Sequence, residues 1–247
     1  MDMLEAFVDA PSSHEGLTIF PIIAPRGSML PYLLSTETEG QDVLTVRERG
    51  DADTPMLLAK NSSLLPLLVL AGEPLPGEHP GRLVARSFLL KGKSVTQLPA
   101  SAIERGGWVT PEQESQITDW VNRFPPVDRQ IGLLACKGVR VLGIEALGAS
   151  NLYQPVHRRL LVRFIKEGLT TTDDEAADVS ELTEQAQRRV DSIEDSHRTR
   201  AKRIGMGEYW TLEGELSGGE LLYHGRLVHL SASPARANVP PRVGQEG

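Results

Sequence analysis

From Gly16 to Pro99 the chain is a succession of short apolar runs separated by turn residues, the signature of an all-β region. Strands are expected over residues 17–23, 43–48, 56–61, 65–71, 82–90 and 94–98. In Val43-Leu44-Thr45-Val46-Arg47-Glu48 and Ser94-Val95-Thr96-Gln97-Leu98, polar residues interrupt the apolar ones, as in strands with one wet face. Pro66 cannot donate to a ladder, so it fits only a strand start or an edge.

The character changes after Trp108. Thr110 can cap a helix that has Pro111 at its first position and Glu112 in its first turn. That helix should run through Ile117, Trp120 and Val121 and stop before Pro125-Pro126. Two strands, 131–136 and 139–147, then flank Lys137-Gly138, and the pattern recurs at 220–223 and 226–230 around His224-Gly225. A residue-glycine pair between apolar runs signals a hairpin, because glycine takes the positive φ of a tight turn. A further strand over 209–216 should end in a Ser217-Gly218-Gly219 turn.

Between these strands lie two helical stripes. Leu152, Val156, Leu160, Leu161, Phe164 and Ile165 form the first, with Gly168 as its C-cap. Val179, Leu182, Ala186, Val190 and Ile193 form a thinner one, capped by Asp173 or Asp174 and extending toward Arg203 in polar company. From Ser231 onward, Pro234, Pro240 and Pro241 amid small and polar residues read as a tail. The expected fold is therefore α+β, with a sandwich-like antiparallel β part over 1–110 and an antiparallel sheet packed with two or three helices over 111–232. The two parts either share a core or stand apart, and 233–247 is expected to be disordered.

At 247 residues, 40% of them hydrophobic and 24% charged, the chain can bury a proper core. Its formal charge of -7 has no clustered basic footprint, which argues against a nucleic-acid partner. The lone Cys136 excludes an intrachain disulfide and fits a reducing compartment. The acidic start lacks the features of a secretory signal, and the longest apolar stretch is too short to span a bilayer, so a cytoplasmic protein with no membrane association is expected.

Chemistry concentrates between Leu67 and Trp108, where one strand runs into Gly72-Glu73 and another ends at Glu104-Arg105-Gly106-Gly107. Each delivers a carboxylate to a glycine-rich bend, and two carboxylates in unlike environments can divide into the acid and base that glycosidic cleavage needs. Glu73 and Glu104 are thus the candidate catalytic residues. Arg82 can grip a phosphate with its planar fork, Trp108 can stack on a base, and His79 lies in the same loop as a further ligand contact. The competing reading is that the carboxylates accept hydrogen bonds from their own bends and that Arg82 pairs with one of them.

His79, His157 and His229 match no zinc spacing, so no metal site is expected. Cys136 beside a tight turn reads as a buried small hydrophobe. No loop carries the P-loop lysine, and no motif identifies a cofactor.

The order of landmarks, from Gly72-Glu73 through Gly77, Arg82, Glu104, Gly106 and Trp108, the Lys137-Gly138 hairpin, the 152–168 helix and Gly205-Met206-Gly207, to the closing Gly225-Arg226-Leu227-Val228-His229-Leu230 strand, resembles the ARG-and-rhodanese-phosphatase-superfamily-associated protein domain family. The resemblance spans roughly Gly16 to Ser231. This chain departs from the family pattern at Pro80-Gly81, where a Gln-Asn pair is usual, at Ala102-Ile103 before Glu104, where Cys-Val is usual, and at Gly107, where arginine is usual. The family is bacterial, its members keep genomic company with ADP-ribosylglycohydrolases and other NAD-handling enzymes, and the resemblance implies an ADP-ribose-like nucleotide as ligand.

A non-catalytic interaction protein is the alternative. In that reading the departures mark a vacated site, and residues 173–203 carry the contact to a partner or a second copy. Arg188, Arg189, Arg198, Arg200, Lys202 and Arg203 interleave with Glu181, Glu184, Asp191, Glu194 and Asp195, as on a solvated, salt-bridged helix.

Overall fold

The computed structural model describes residues 6–24, 31–38, 40–49, 56–74, 82–98, 103–105, 111–171 and 178–234, with only the backbone at 48, 49, 56, 82, 103–105 and 111–113. In chain order the first strands are β1 (Phe7–Val8), β2 (Ser12–His14), β3 (Leu17–Ile23) and β4 (Leu33–Leu34), the last followed by a single 3-10 turn, Ser35–Thr38. Next come β5 (Leu44–Arg49), β6 (Met56–Asn61), β7 (Leu67–Val69), β8 (Arg82–Val84), β9 (Phe88–Leu90), β10 (Ser94–Leu98) and β11 (Ile103–Arg105). Helix α1 (Pro111–Arg123) leads to β12 (Gln130–Lys137) and β13 (Arg140–Leu147), then α2 (Ser150–Tyr153), α3 (His157–Thr170) and α4 (Val179–Asp195). The described chain closes with β14 (His197–Arg200), β15 (Glu208–Glu213), β16 (Leu216–Tyr223) and β17 (Arg226–Pro234).

A nine-stranded sheet in the order β1-β3-β12-β13-β17-β16-β15-β14, with β2 also on β3, forms the platform. Its strands pair antiparallel, so both expected hairpins form, and alternate side chains enter opposite layers. Leu17, Ile19, Leu133, Ala135, Leu147 and Leu221 face α1, α2 and α3, packing with Trp120, Tyr153, Leu161 and Phe164. Phe20, Ile22, Leu134, Ile144, Leu230 and Ala232 face α4.

The remaining strands form three small sheets, β10-β6-β5, β11-β8 and β4-β7-β9. Leu67, Val69, Phe88 and Leu90 pack on Leu57, Ala59 and Leu98 in sandwich fashion, while Leu68, Leu70 and Leu89 point the other way into the core shared with α1 and α3. Burial on both faces explains why residues 67–70 are an unbroken apolar run. Pro66 sits just before β7, where its missing N–H costs no ladder bond. β4 joins β7 in parallel, an exception to the otherwise antiparallel pairing of named strands.

Several local expectations are corrected. Gly168 is not a C-cap: α3 continues to Thr170, and a Cβ at 168 would stand 3.2 Å from Leu17 Cδ1, so glycine there permits close helix-to-sheet contact. The cap of α4 is Asp178, whose carboxylate accepts from the Ser180 and Glu181 N–H groups, rather than Asp173 or Asp174, which lie outside the described residues. That helix ends at Asp195 and gives way to β14, because Arg198 turns back to its last carbonyls, those of Ile193 and Glu194. Four members of the thin stripe of α4, Leu182, Ala186, Val190 and Ile193, are buried against the sheet, while Val179 at its start is 54% exposed. Burying each larger member stabilises the fold by about 1.5–3 kcal/mol. The turn expected at 217–219 falls at 214–215, and Ser217-Gly218-Gly219 lie inside β16. Ser231, Ala232, Ser233 and Pro234 belong to β17 and not to a tail, and 235–247 lie outside the described residues.

The Gly205-Met206-Gly207 landmark has a structural cause. Met206 N–H donates to Leu89 O at 2.8 Å, and Gly205, at φ 69°, would place a Cβ 2.2 Å from that same carbonyl. Gly205→Ala is therefore expected to cost about 2–3 kcal/mol in urea denaturation, from backbone strain and steric clash together. Gly225→Ala has a similar φ of 73° with no atom within 4 Å of the added Cβ, so it isolates the strain alone, about 1–2 kcal/mol.

Candidate functional site

On the layer of the sheet that faces α3, an ionic cluster forms where β13 and β17 meet. Glu145 pairs with Ser231 and Leu147 with His229, so the two-residue period puts Glu145, His229 and Ser231 on one face. Glu145 is 3% exposed and His229 2%. Ser231 Oγ donates to Glu145 Oε1 at 2.7 Å, and Arg163, reaching down from α3, donates to Oε1 and to Ser231 Oγ. His229 Nε2 stands 2.9 Å from Glu145 Oε2, an ion-pair distance, although neither atom meets hydrogen-bond geometry there.

Burial alone would push the Glu145 carboxyl up. Its contacts with His229, Arg163 and Ser231 outweigh that and hold it below its ordinary value. Glu145 is therefore ionised at neutral pH.

The other nitrogen of His229 reaches the β-rich part of the chain. A continuous strand was expected over 82–90, but it breaks at 85–87, between β8 and β9. The break turns Ser87 toward the sheet. Ser87 Oγ lies 2.9 Å from His229 Nδ1 and accepts from Ala71 N–H at 2.8 Å. Where the ring proton sits on Nε2, facing the carboxylate, Nδ1 accepts from the Ser87 hydroxyl.

One turn of α3 before Arg163, Arg159 Nη1 lies 3.3 Å from Glu73 Oε1. Glu73 is 3% exposed, and its Oε2 accepts from Ser35 Oγ of the 3-10 turn. Its backbone is equally committed: Glu73 N–H donates to Leu70 O, Glu73 O accepts from Val84 N–H, and Gly72 at φ 78° makes the bend.

The backbone also brings the other expected elements to this bend. β11 pairs with β8, placing Glu104 opposite Leu83 and Arg105 opposite Arg82, while Pro74 bridges to Leu83 from the Glu73 side. His79 and Trp108 lie outside the described residues, as do the side chains of Arg82 and Glu104. Ser87, Glu145, Arg159, Arg163 and Ser231 were not singled out from the sequence. Glu145 had a visible signal, a carboxylate inside Leu142-Gly143-Ile144-Glu145-Ala146-Leu147, as did His229 between Val228 and Leu230.

Around this cluster the polar groups are satisfied or neutral. Tyr209 lies over Gly219, with the Arg86 guanidinium 5.2 Å from its ring centroid. Burial raises the Tyr209 hydroxyl, with Arg86 opposing and Glu145 reinforcing. Gln130 donates to Tyr153 Oη, which bonds His157 Nδ1, and His157 Nε2 meets Phe124 O at 2.7 Å. Burial lowers His157, only partly offset by that carbonyl, so it sits neutral as a strut between α1 and α3. Cys136 is buried, its thiol pushed up to about 12 by burial, and it behaves as a small hydrophobe. Among the described residues no group of three or more His, Cys, Asp and Glu side chains is placed to hold a metal, and no helix is long and apolar enough to cross a membrane.

Sheet, covering helices and buried ionic cluster define an α+β protein with two carboxylates held by one helix. The chain belongs to the ARG and Rhodanese-Phosphatase-superfamily-associated Protein domain family, whose model matches residues 5–114 and 109–233. No curated protein and no solved structure matches it.

The depressed Glu145 contributes stability that is present above the ordinary carboxylate value, about 4.3, and is lost as pH falls through the lower folded value. Arg163→Gln removes one source of that depression. The variant is expected to be less stable by about 1 kcal/mol at pH 7, the half-exposed guanidinium being screened, and the gap should close as pH falls through the lowered Glu145 value when urea midpoints are compared.

Proposed function

We propose that this protein is a cytoplasmic ligand-binding or hydrolytic domain for an ADP-ribose-like nucleotide, with its site at the bend that carries Glu73. The observation that supports this reading best is convergence: Leu83 is bridged by Pro74 on one side and paired with Glu104 on the other, so the backbones bearing Glu73, Arg82 and Glu104 form one patch. Glu73 is buried and braced by Ser35 and Arg159, which is how a fold fixes a carboxylate in one orientation. Glu73 and Glu104 would supply acid and base, Arg82 the phosphate contact, with Trp108 and His79 as ligand contacts. The family's stated association with the ARG group agrees with a ligand of this class.

The test is a thermal melt with ADP-ribose, NAD, AMP and ribose 5-phosphate. A ligand that binds only the folded state stabilises it by RT ln(1 + [L]/Kd), about 2.7 kcal/mol at a hundredfold excess over Kd. ADP-ribose should raise the wild-type midpoint, and Glu73→Gln should abolish the shift while still melting cooperatively. An identical shift in the variant would remove Glu73 from the site.

A further inference from the structure

Ser87, His229 and Glu145 form a chain of hydroxyl, imidazole and carboxylate whose contacts are each 2.9 Å. The three come from separate elements, the β8–β9 break, β17 and β13. None belongs to the Glu73 patch. We propose that Ser87 is a nucleophile, activated by His229 and oriented through Glu145, and that it cleaves carboxylic esters whose alcohol or acyl portion is anionic.

The arrangement brings together the groups that such a step needs. A serine hydroxyl attacks only when a base takes its proton, and the base must be held in the right tautomer by a third group. Here the carboxylate faces Nε2, so Nδ1 is the nitrogen turned to Ser87, the two ring nitrogens exchanged relative to the usual order. Ala71 N–H donates to Ser87 Oγ and holds that oxygen in place.

Ser87, His229 and Glu145 are themselves buried, while their neighbours reach the surface: Ala71 and Arg86 are half-buried, Gly72 and Ala85 are exposed, and the side chain of Arg163 is 44% exposed. Arg163 on Glu145 and Arg86 on Tyr209 flank it with cations on a protein of net charge -7, and that is the basis for an anionic substrate.

In the reaction Ser87 Oγ bonds to the ester carbonyl carbon as its proton passes to His229 Nδ1. The tetrahedral intermediate then breaks its bond to the alkoxide, which leaves with that proton as the alcohol. Water attacks the acyl-serine, gives a proton to Nδ1, and Ser87 recovers it as the carboxylic acid departs. Ester and water become acid and alcohol, and no other reactant is needed.

The competing account makes the same three residues a staple between the bend and the sheet. A fluorophosphonate probe separates the two, since serine attack forms an Oγ–P bond and expels fluoride while the proton goes to the base. The full-length chain is incubated with the probe and the adduct mapped by peptide mass spectrometry. The expected result is one adduct on Ser87, no labelling of Ser87→Ala despite a cooperative melt, and labelling at least about a hundredfold slower in His229→Gln. Because Ser87→Cys keeps a nucleophile at the same place, its alkylation by iodoacetamide, faster than that of unfolded chain, is a second readout. A folded wild type that stays unlabelled, an adduct elsewhere that persists in Ser87→Ala, or labelling only after denaturation would overturn the proposal. These outcomes are independent of whether ADP-ribose shifts the melt.

Discussion

An ionised carboxylate in the middle of a sheet face is the constraint from which much of this structure follows. Glu145 is 3% exposed among residues that otherwise build the main core. Left alone in such a place, its charge would cost several kcal/mol, so the fold must bring partners to it. Ser231 and His229 come from β17, which requires the register that pairs them with Glu145 and Leu147. A slip by one residue would turn His229 toward α4 and Leu230 toward Arg163, exchanging charge for hydrocarbon in both layers. Arg163 comes from α3 and thereby sets where along the sheet that helix lies.

This arrangement is not an economical way to stabilise a protein. Apolar residues of similar volume at a buried ionic cluster commonly do as well or better. The surrounding residues are ordinary core formers, Leu147, Leu221 and Phe164 among them, and would accommodate such a replacement. What the cluster adds is a connection. Through His229 and Ser87 it reaches the N–H of Ala71, and through α3, whose successive turns carry Arg159 and Arg163, it is coupled to Glu73. The bend at 70–73 is thus gripped from the sheet and from the helix. On its far side β9 is held by Met206 and Gly205. A short segment fixed from three directions is a device for holding side chains in place, the usual service of a scaffold to a site.

The sequence disclosed what depends on local pattern. Alternation and turn chemistry located β3, β6, β10 and both tight hairpins, and the 3.6-residue stripes located α1, α3 and α4. It misplaced what depends on tertiary contact. Gly168 has the chemistry of a cap but serves the approach of Leu17, and Gly218-Gly219 have the chemistry of a turn but lie in a strand, Gly218 against Ser231 and Ala232 and Gly219 under Tyr209. Residues 82–90 have the composition of one strand, and only the pull of His229 on Ser87 shows why they are two. Glu73 was legible because a glycine bend announces it. Ser87 and Arg163 were not, since each is unremarkable in its own segment, and Glu145, though a carboxylate in an apolar strand, meets its partners only through the fold, within a cluster whose contacts span 18 to 142 residues.

The packing of α4 bears on which kind of function the molecule is built for. A helix that presents a partner-binding seam keeps an apolar stripe uncovered, yet Leu182, Ala186, Val190 and Ile193 are consumed by the sheet, and the outward face is a lattice of charges such as Arg188 with Glu184. Buried charge is found in both layers: on the α4 side Glu220, 1% exposed, pairs with Arg198, and on the α3 side one helix gives two arginines to two buried carboxylates, beside a strand break that brings a hydroxyl to a histidine. A scaffold protein has no need for ionisable groups buried in fixed orientation, whereas binding and bond cleavage do, because both depend on charges that cannot relax away from the ligand. What sets the α3 side apart is that its buried carboxylates, Glu73 and Glu145, are held by successive turns of one helix.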